Sequence, residues 1–184
     1  LFLLLLMGTS VYAGGNNSSS SSDSRYFFGI GAGDGGGFYG GYFTAYRLSY
    51  QKILSHNSEY SFKYFSDTGL NFWKDDSRLS EFDKTGATSG LSSSNLSVSY
   101  SRGIRKYVSK NSFLDIGLGL SLHSSDSMGG SDLGTTIHIE SRIGLGYERE
   151  TYRSVLNLFH YSNGGRSEKN DGVDVLMLSV SKYF

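Results

Sequence analysis

The chain has 184 residues, enough for one domain, with no Cys, no Pro, 25 Gly, 14 Tyr, 12 Phe and a formal charge of zero. Without Cys there is no disulfide framework, no thiol nucleophile and no thiolate metal site. A pI near 7.1 leaves no electrostatic footprint for nucleic acid, and 38% hydrophobic residues against 15% aromatic suits a barrel with a thin apolar skin better than a soluble core.

Leu1–Leu6 is an apolar run too short to span a bilayer, and Val11-Tyr12-Ala13 fits a small-residue cleavage pattern. Residues 1–13 therefore read as a secretory signal peptide, and 14–24, mostly Gly, Asn and Ser, as a polar leader. The run Gly29 to Gly37 superficially resembles a phosphate loop. It is followed by a strand and lacks the Lys-Ser/Thr ending, so lumen packing and a tight loop explain it better.

From Arg25 onward apolar residues recur with period two, the strand signal. Strands are expected at 25–33, 39–53, 58–73, 92–107, 111–123, 133–149, 151–163 and 172–184. In 113–123, Leu114, Ile116, Leu118, Leu120 and Leu122 share a face, opposite Asp115, Gly117, Gly119, Ser121 and His123. In 137–147, Ile137, Ile139, Ile143 and Leu145 oppose His138, Glu140, Arg142, Gly144 and Gly146. A lipocalin-like barrel would turn its large apolar residues inward. Here the second face is small and charged, fit for a narrow polar lumen in which Arg47, Lys63, Asp115, Glu140 and Arg142 neutralise one another. The expected fold is all-β: an eight-stranded antiparallel transmembrane barrel over 25–184, lipid outside and polar inside.

Short connections at 54–57, 108–110 and around Glu150 read as periplasmic turns, with His56 in the first. The longer 34–38, 74–91, 124–132 and 164–171 read as outside loops, and Tyr183-Phe184 as a C-terminal aromatic end. His123 and His138 belong to the lumen or its mouth. Tyr26, Phe28, Tyr42, Tyr46, Tyr50, Tyr60, Phe62, Tyr64, Phe72 and Trp73 read as interfacial girdles. Eight strands leave no aqueous pore, so transport is not expected.

The chemistry sits in the last hairpin. His160 and Ser162 are expected on the outer, apolar face of the seventh strand, and Asp174 on that of the eighth. Residues i and i+2 on a strand point the same way, with Cα atoms roughly 6.6–6.8 Å apart. The expected roles are Ser162 as nucleophile, His160 as general base and then acid, and Asp174 as the group that orients the imidazole. Asn163 or the backbone N–H groups of Gly164 and Gly165 are the oxyanion candidates. No cofactor and no metal are expected.

His160-Tyr161-Ser162-Asn163-x-Gly165, followed by Asn170-Asp171-Gly172-x-Asp174, resembles the lipid A 3-O-deacylases (PagL-type) of Gram-negative outer membranes. The likeness is strongest over His160–Asp174, weaker over 113–147, and limited to strand pattern over 25–100. It implies hydrolysis of the ester-linked 3-hydroxyacyl chain at position 3 of lipid A, without metal, among membrane lipids, by a single chain or a homodimer. The family's histidine and serine map onto His160 and Ser162. Its acid is glutamate, where this chain has Asp174, with Glu168 and Asp171 as lower-ranked substitutes. Two rivals stand beside this expectation: a non-enzymatic barrel with a structural or adhesive role, and an inactive family member uncoupled by the shorter acid.

Overall fold

The computed structural model describes residues 23–35, 42–57, 62–75, 94–128, 131–170 and 172–182. The expected signal peptide, all of the leader before Asp23, and Tyr183-Phe184 lie outside these residues. Ten strands are found among them: β1 (Ser24–Gly35), β2 (Tyr42–Asn57), β3 (Phe62–Asp75), β4 (Ser94–Tyr107), β5 (Ser112–His123), β6 (Ser127–Met128), β7 (Ser131–Asp132), β8 (Ile137–Glu148), β9 (Tyr152–Ser162) and β10 (Val173–Lys182). Eight of them close an antiparallel barrel in the order β1-β10-β9-β8-β5-β4-β3-β2, so no sheet edge is left for lipid to desolvate.

The faces follow the period-two reading. Leu114, Ile116, Leu118, Leu120 and Leu122 all point outward and are exposed, while Phe113, Asp115, Ser121 and His123 are buried inside. Exposed Leu, Ile and Val on every barrel strand would be untenable in water and is the expected surface in lipid.

Ion pairs share the lumen with two buried apolar clusters, one including Phe43, Phe159 and Met177, the other Phe27, Phe113 and Val155. Arg47 donates to Asp67 at 2.7 Å, to Asn71 at 2.8 Å and to Glu140 at 3.0 Å. Arg142 reaches Asp67 at 3.2 Å, and Arg105 grips Asp115 with two bonds of 2.7 and 2.8 Å. Gly69 makes room for this network, because a Cβ there would sit 2.5 Å from the Arg47 guanidinium carbon. Lys63 stands apart from it, half-buried and within 3.4 Å of the Tyr107 hydroxyl.

Three expectations are corrected. Trp73 belongs to no girdle: it is inward and buried, donates to Ser97 Oγ at 3.2 Å and packs edge-on against Tyr161. An indole N–H needs an acceptor, and the lumen has one where the lipid face has none. His56 is on β2 rather than in a turn, because β2 continues past a bulge between Ile53 and Ser55 as far as Asn57. The sixth long strand begins at Ile137 rather than at 133. Ser127–Met128 and Ser131–Asp132 pair instead as the small antiparallel β6–β7 sheet, and Met128 and Leu133 are buried with Trp73, Tyr161 and Val173. Burial of those two apolar side chains stabilises this arrangement by about 1.5–3 kcal/mol for each one fully buried.

Candidate active site

The connections β1–β2, β3–β4, β5–β8 and β9–β10 all emerge at one end of the barrel, and the short 58–61, 108–111 and 149–151 at the other. The last of the long set, residues 163–172, carries the candidate chemistry. In the β9–β10 ladder His160 pairs directly with Asp174, and Val173 with Tyr161. On the other side of β9, His160 pairs with Ser141 and Ser162 with Ile139 of β8.

The imidazole and carboxylate meet: His160 Nδ1 and Asp174 Oδ1 are 2.8 Å apart. In a contact of this kind the ring N–H at Nδ1 donates and the carboxylate oxygen accepts, which leaves Nε2 as the ring nitrogen turned away from Asp174. Both side chains are outward, 48% and 64% exposed, which places the pair on the lipid-side surface near the rim and not in the lumen. Ser162 lies two residues further on the same face, half-buried, and its hydroxyl makes no hydrogen bond among the described residues. The structure therefore joins two of the three residues and sets the third beside them. Contacts of this kind often close only when substrate is bound. Below the trio the outward wall is apolar, with Leu158 paired to Leu176 on one side and to Ile143 on the other.

The oxyanion candidates separate. Asn163 is wholly buried, and its side-chain amide donates to the carbonyls of Leu133 (2.9 Å) and Lys169 (2.6 Å). Its Oδ1 accepts from the N–H groups of Gly165 (2.8 Å) and Arg166 (3.1 Å). Asn163 and Gly165 are thus committed to holding the loop, and neither is free to donate to a substrate. Gly164, at φ 67°, keeps an N–H without a partner among the described residues. Outside the membrane span, Lys169 donates to Asp132 Oδ2 at 2.6 Å and the Gly134 N–H to Asp132 Oδ1. Together they hold that carboxyl below its ordinary range and tether the loop to the β6–β7 sheet.

Two neighbours escaped the sequence reading. Gly172, at φ 70°, lies against the imidazole: a Cβ there would be 3.0 Å from His160 Cε1. Asp34 on β1 is the register partner of Asp174 on β10, which puts a second carboxylate in the row Asp34–Asp174–His160. Its parity with Phe28 and Ile30 marked it as outward, but only barrel closure brings β1 beside β10. Of the substitute acids, Glu168 is exposed in the loop and makes no bond to His160, and Asp171 lies outside the described residues.

Comparison with known proteins bears on the fold and the family. The chain is 35% identical over 63 residues to the lipid A deacylase PagL of Pseudomonas aeruginosa, a stretch covering 34% of this chain and 36% of that protein. It is thus matched over little more than a third of that relative's length. The crystal structure of the outer membrane enzyme PagL superposes with a TM-score of 0.64 at 22% identity, over 87% of this chain and 99% of that one. A de novo designed transmembrane β-barrel superposes with a TM-score of 0.51 at 10% identity, over 86% and 93%. These likenesses show the barrel fold. Residues 39–183 match the family described as lipid A 3-O-deacylase (PagL), and with most of its length inside that match the chain belongs to this family.

Proposed function

We propose that this barrel is an outer-membrane serine esterase of a Gram-negative bacterium, which removes the ester-linked 3-hydroxyacyl chain at position 3 of lipid A. The observation that carries the reading is the His160–Asp174 contact of 2.8 Å on the lipid-side face, with Ser162 two residues along. A lipid substrate lies in the leaflet rather than in solution, so a site turned outward at the rim is where its ester would arrive. The apolar wall of Ile143, Leu158 and Leu176 gives the departing acyl chain a surface to lie on.

In the first half-reaction Ser162 Oγ attacks the ester carbonyl while His160 Nε2 takes its proton. The imidazolium that results is stabilised by Asp174 at Nδ1. Collapse of the tetrahedral intermediate breaks the bond to the sugar oxygen, which receives the proton from Nε2. Water then attacks the acyl-serine with the same histidine as base, releasing the fatty acid and restoring the Ser162 hydroxyl. The developing oxyanion is served by the Gly164 N–H.

Mass spectrometry of lipid A incubated with the purified protein tests the reading. The wild-type chain should release one hydroxyacyl chain, and His160→Ala and Ser162→Ala should release none while still migrating as folded barrels. Release by either variant at the wild-type rate would refute these roles, and an unchanged acyl pattern with the wild type would point to a non-enzymatic barrel.

A further inference from the structure

The apolar skin has a second interruption, on the far half of the barrel from His160. Lys52 on β2 pairs with Ser66 on β3, and Ser66 pairs in turn with Arg102 on β4. Lys52 and Arg102 are exposed on the lipid face, each flanked along its own strand by apolar or aromatic residues such as Tyr50, Leu54, Tyr100 and Ile104. Arg102 Nε donates to the Tyr100 hydroxyl at 3.2 Å. Among the described residues no carboxylate lies within ion-pairing distance of Lys52 or Arg102, and none points outward from β2, β3, β4 or β5. In the lumen, by contrast, Arg47, Arg105 and Arg142 all have carboxylate partners.

A cation on the lipid face is costly unless it reaches the interface or meets an anion. Arg102 is five residues from Tyr107, the short-connection end of β4. At the usual rise and tilt that is roughly 13 Å from the end of the strand. Its side chain can extend back towards the headgroups along apolar surface. From this row towards the middle of the barrel the outward face is apolar or aromatic, with Tyr50 and Leu48 on β2, Leu70 on β3, and Tyr100 and Val98 on β4 all exposed, and Leu48, Leu70 and Val98 paired across the strands. Two cations about two strand spacings apart (roughly 10 Å) bracket a hydroxyl, and apolar surface lies next to them on the side of the barrel's middle. That combination matches a phosphate with acyl chains attached. Guanidinium is the side chain best suited to a phosphate, through paired N–H donors.

We propose that Lys52, Ser66 and Arg102 form a docking site for the headgroup of an anionic glycerophospholipid, whose acyl chains run from there towards the middle of the barrel along the outward Leu48, Leu70 and Val98. The short connections mark this half as the periplasmic side. The occupant is therefore a phospholipid of the inner leaflet, and the site is separate from the one at the rim where lipid A would be cut. The proposal does not depend on the esterase reading.

Native mass spectrometry of the full chain, released from micelles doped with equal amounts of phosphatidylglycerol and phosphatidylcholine, tests it. Near-surface charge interactions of this kind predict a preference for the anionic lipid of about tenfold. The Lys52→Gln/Arg102→Gln double variant should bind the two lipids equally. Lys110→Gln, altered in the short connection outside the row, should keep the preference. Heat-dependent gel migration reports that each variant is folded. Equal retention of both lipids by the wild type, or an undiminished preference in the folded double variant, would overturn the proposal. So would a double variant that loses dimer mass while keeping its lipid adducts, since the cations would then serve a second copy of the chain.

Discussion

His160 and Asp174 are direct partners across the β9–β10 ladder, and their side chains meet at 2.8 Å. Directly opposed residues in an antiparallel pair have Cβ atoms roughly 4.5–5.5 Å apart. At that separation an aspartate spans the gap to Nδ1 without the extra methylene of the family's glutamate. In the proposed mechanism the shorter acid would act from this register, its carboxylate already in contact with Nδ1.

A prediction about the acid follows from that contact. Asp174→Asn would offer Nδ1 an amide in place of a carboxylate and lose the charge that stabilises the imidazolium. Deacylation should fall by about 10²–10⁴-fold, by analogy with loss of the acid in serine-protease triads. Asp174→Glu should not raise the rate above wild type. Initial rates of fatty-acid release measure both. A faster Glu variant would show that the shorter side chain limits the reaction, and an Asn variant at full rate would remove Asp174 from the mechanism.

Gly172 is the residue that lets the chain pass beside the imidazole. Its φ of 70° lies in the left-handed region, and a Cβ would stand 3.0 Å from His160 Cε1. Gly172→Ala should cost about 1–2 kcal/mol of local backbone strain and push the ring away from Asp174. The expected outcome is a fall in kcat with a barrel that still folds. Gly165→Ala is the control: it has a similar φ of 78° but open space around its Cβ, so it carries the strain without the contact. Equal losses in the two variants would show that loop strain, and not the displaced imidazole, is responsible.

Asn163 was expected to donate to an oxyanion, and the structure uses it instead to hold the loop. Its side chain binds two carbonyls and two backbone N–H groups while wholly buried. Asn163→Ala would leave several of these groups unpaired, at about 1–3 kcal/mol for each one that stays buried. Amide hydrogen exchange should quicken across 163–170 with the strands unaffected, and activity should drop with it. Lost activity with unchanged exchange would return Asn163 to direct chemistry.

What the sequence made legible was local. Side-chain parity on a strand is set by neighbours two residues apart, so the inside-out barrel and the outward facing of His160, Ser162 and Asp174 could be read from period alone. Trp73 was legible by the same rule, since it shares parity with the lumen residues Asp67, Gly69 and Asn71, but residue type suggested a girdle. What stayed hidden depends on contacts between distant segments. Asp34 meets Asp174 only when β1 closes on β10. Asn163 finds Leu133 only because Leu133 is buried with Met128 against Trp73 and Tyr161.

The lumen network yields a prediction whose sign depends on pairing. Glu140 is buried, binds Arg47 through both oxygens and accepts the Tyr161 hydroxyl at 3.0 Å. Removing only the acid leaves the Arg47 guanidinium buried with Asp67 as its remaining carboxylate. Loss of one partner of a buried pair costs about 3–5 kcal/mol, whereas replacing both by apolar groups of similar volume is often neutral. Glu140→Ala should therefore lower the urea midpoint of the micelle-bound barrel substantially, and Arg47→Met/Glu140→Leu should recover most of that loss. The recovery will be partial, because Arg47 also satisfies Asp67, which would then keep Arg142 as its one cationic partner among the described residues, beside the longer Ser49 and Gln51 contacts. A double variant as unstable as Glu140→Ala would mean that the charges, and not their mutual desolvation, hold the lumen together.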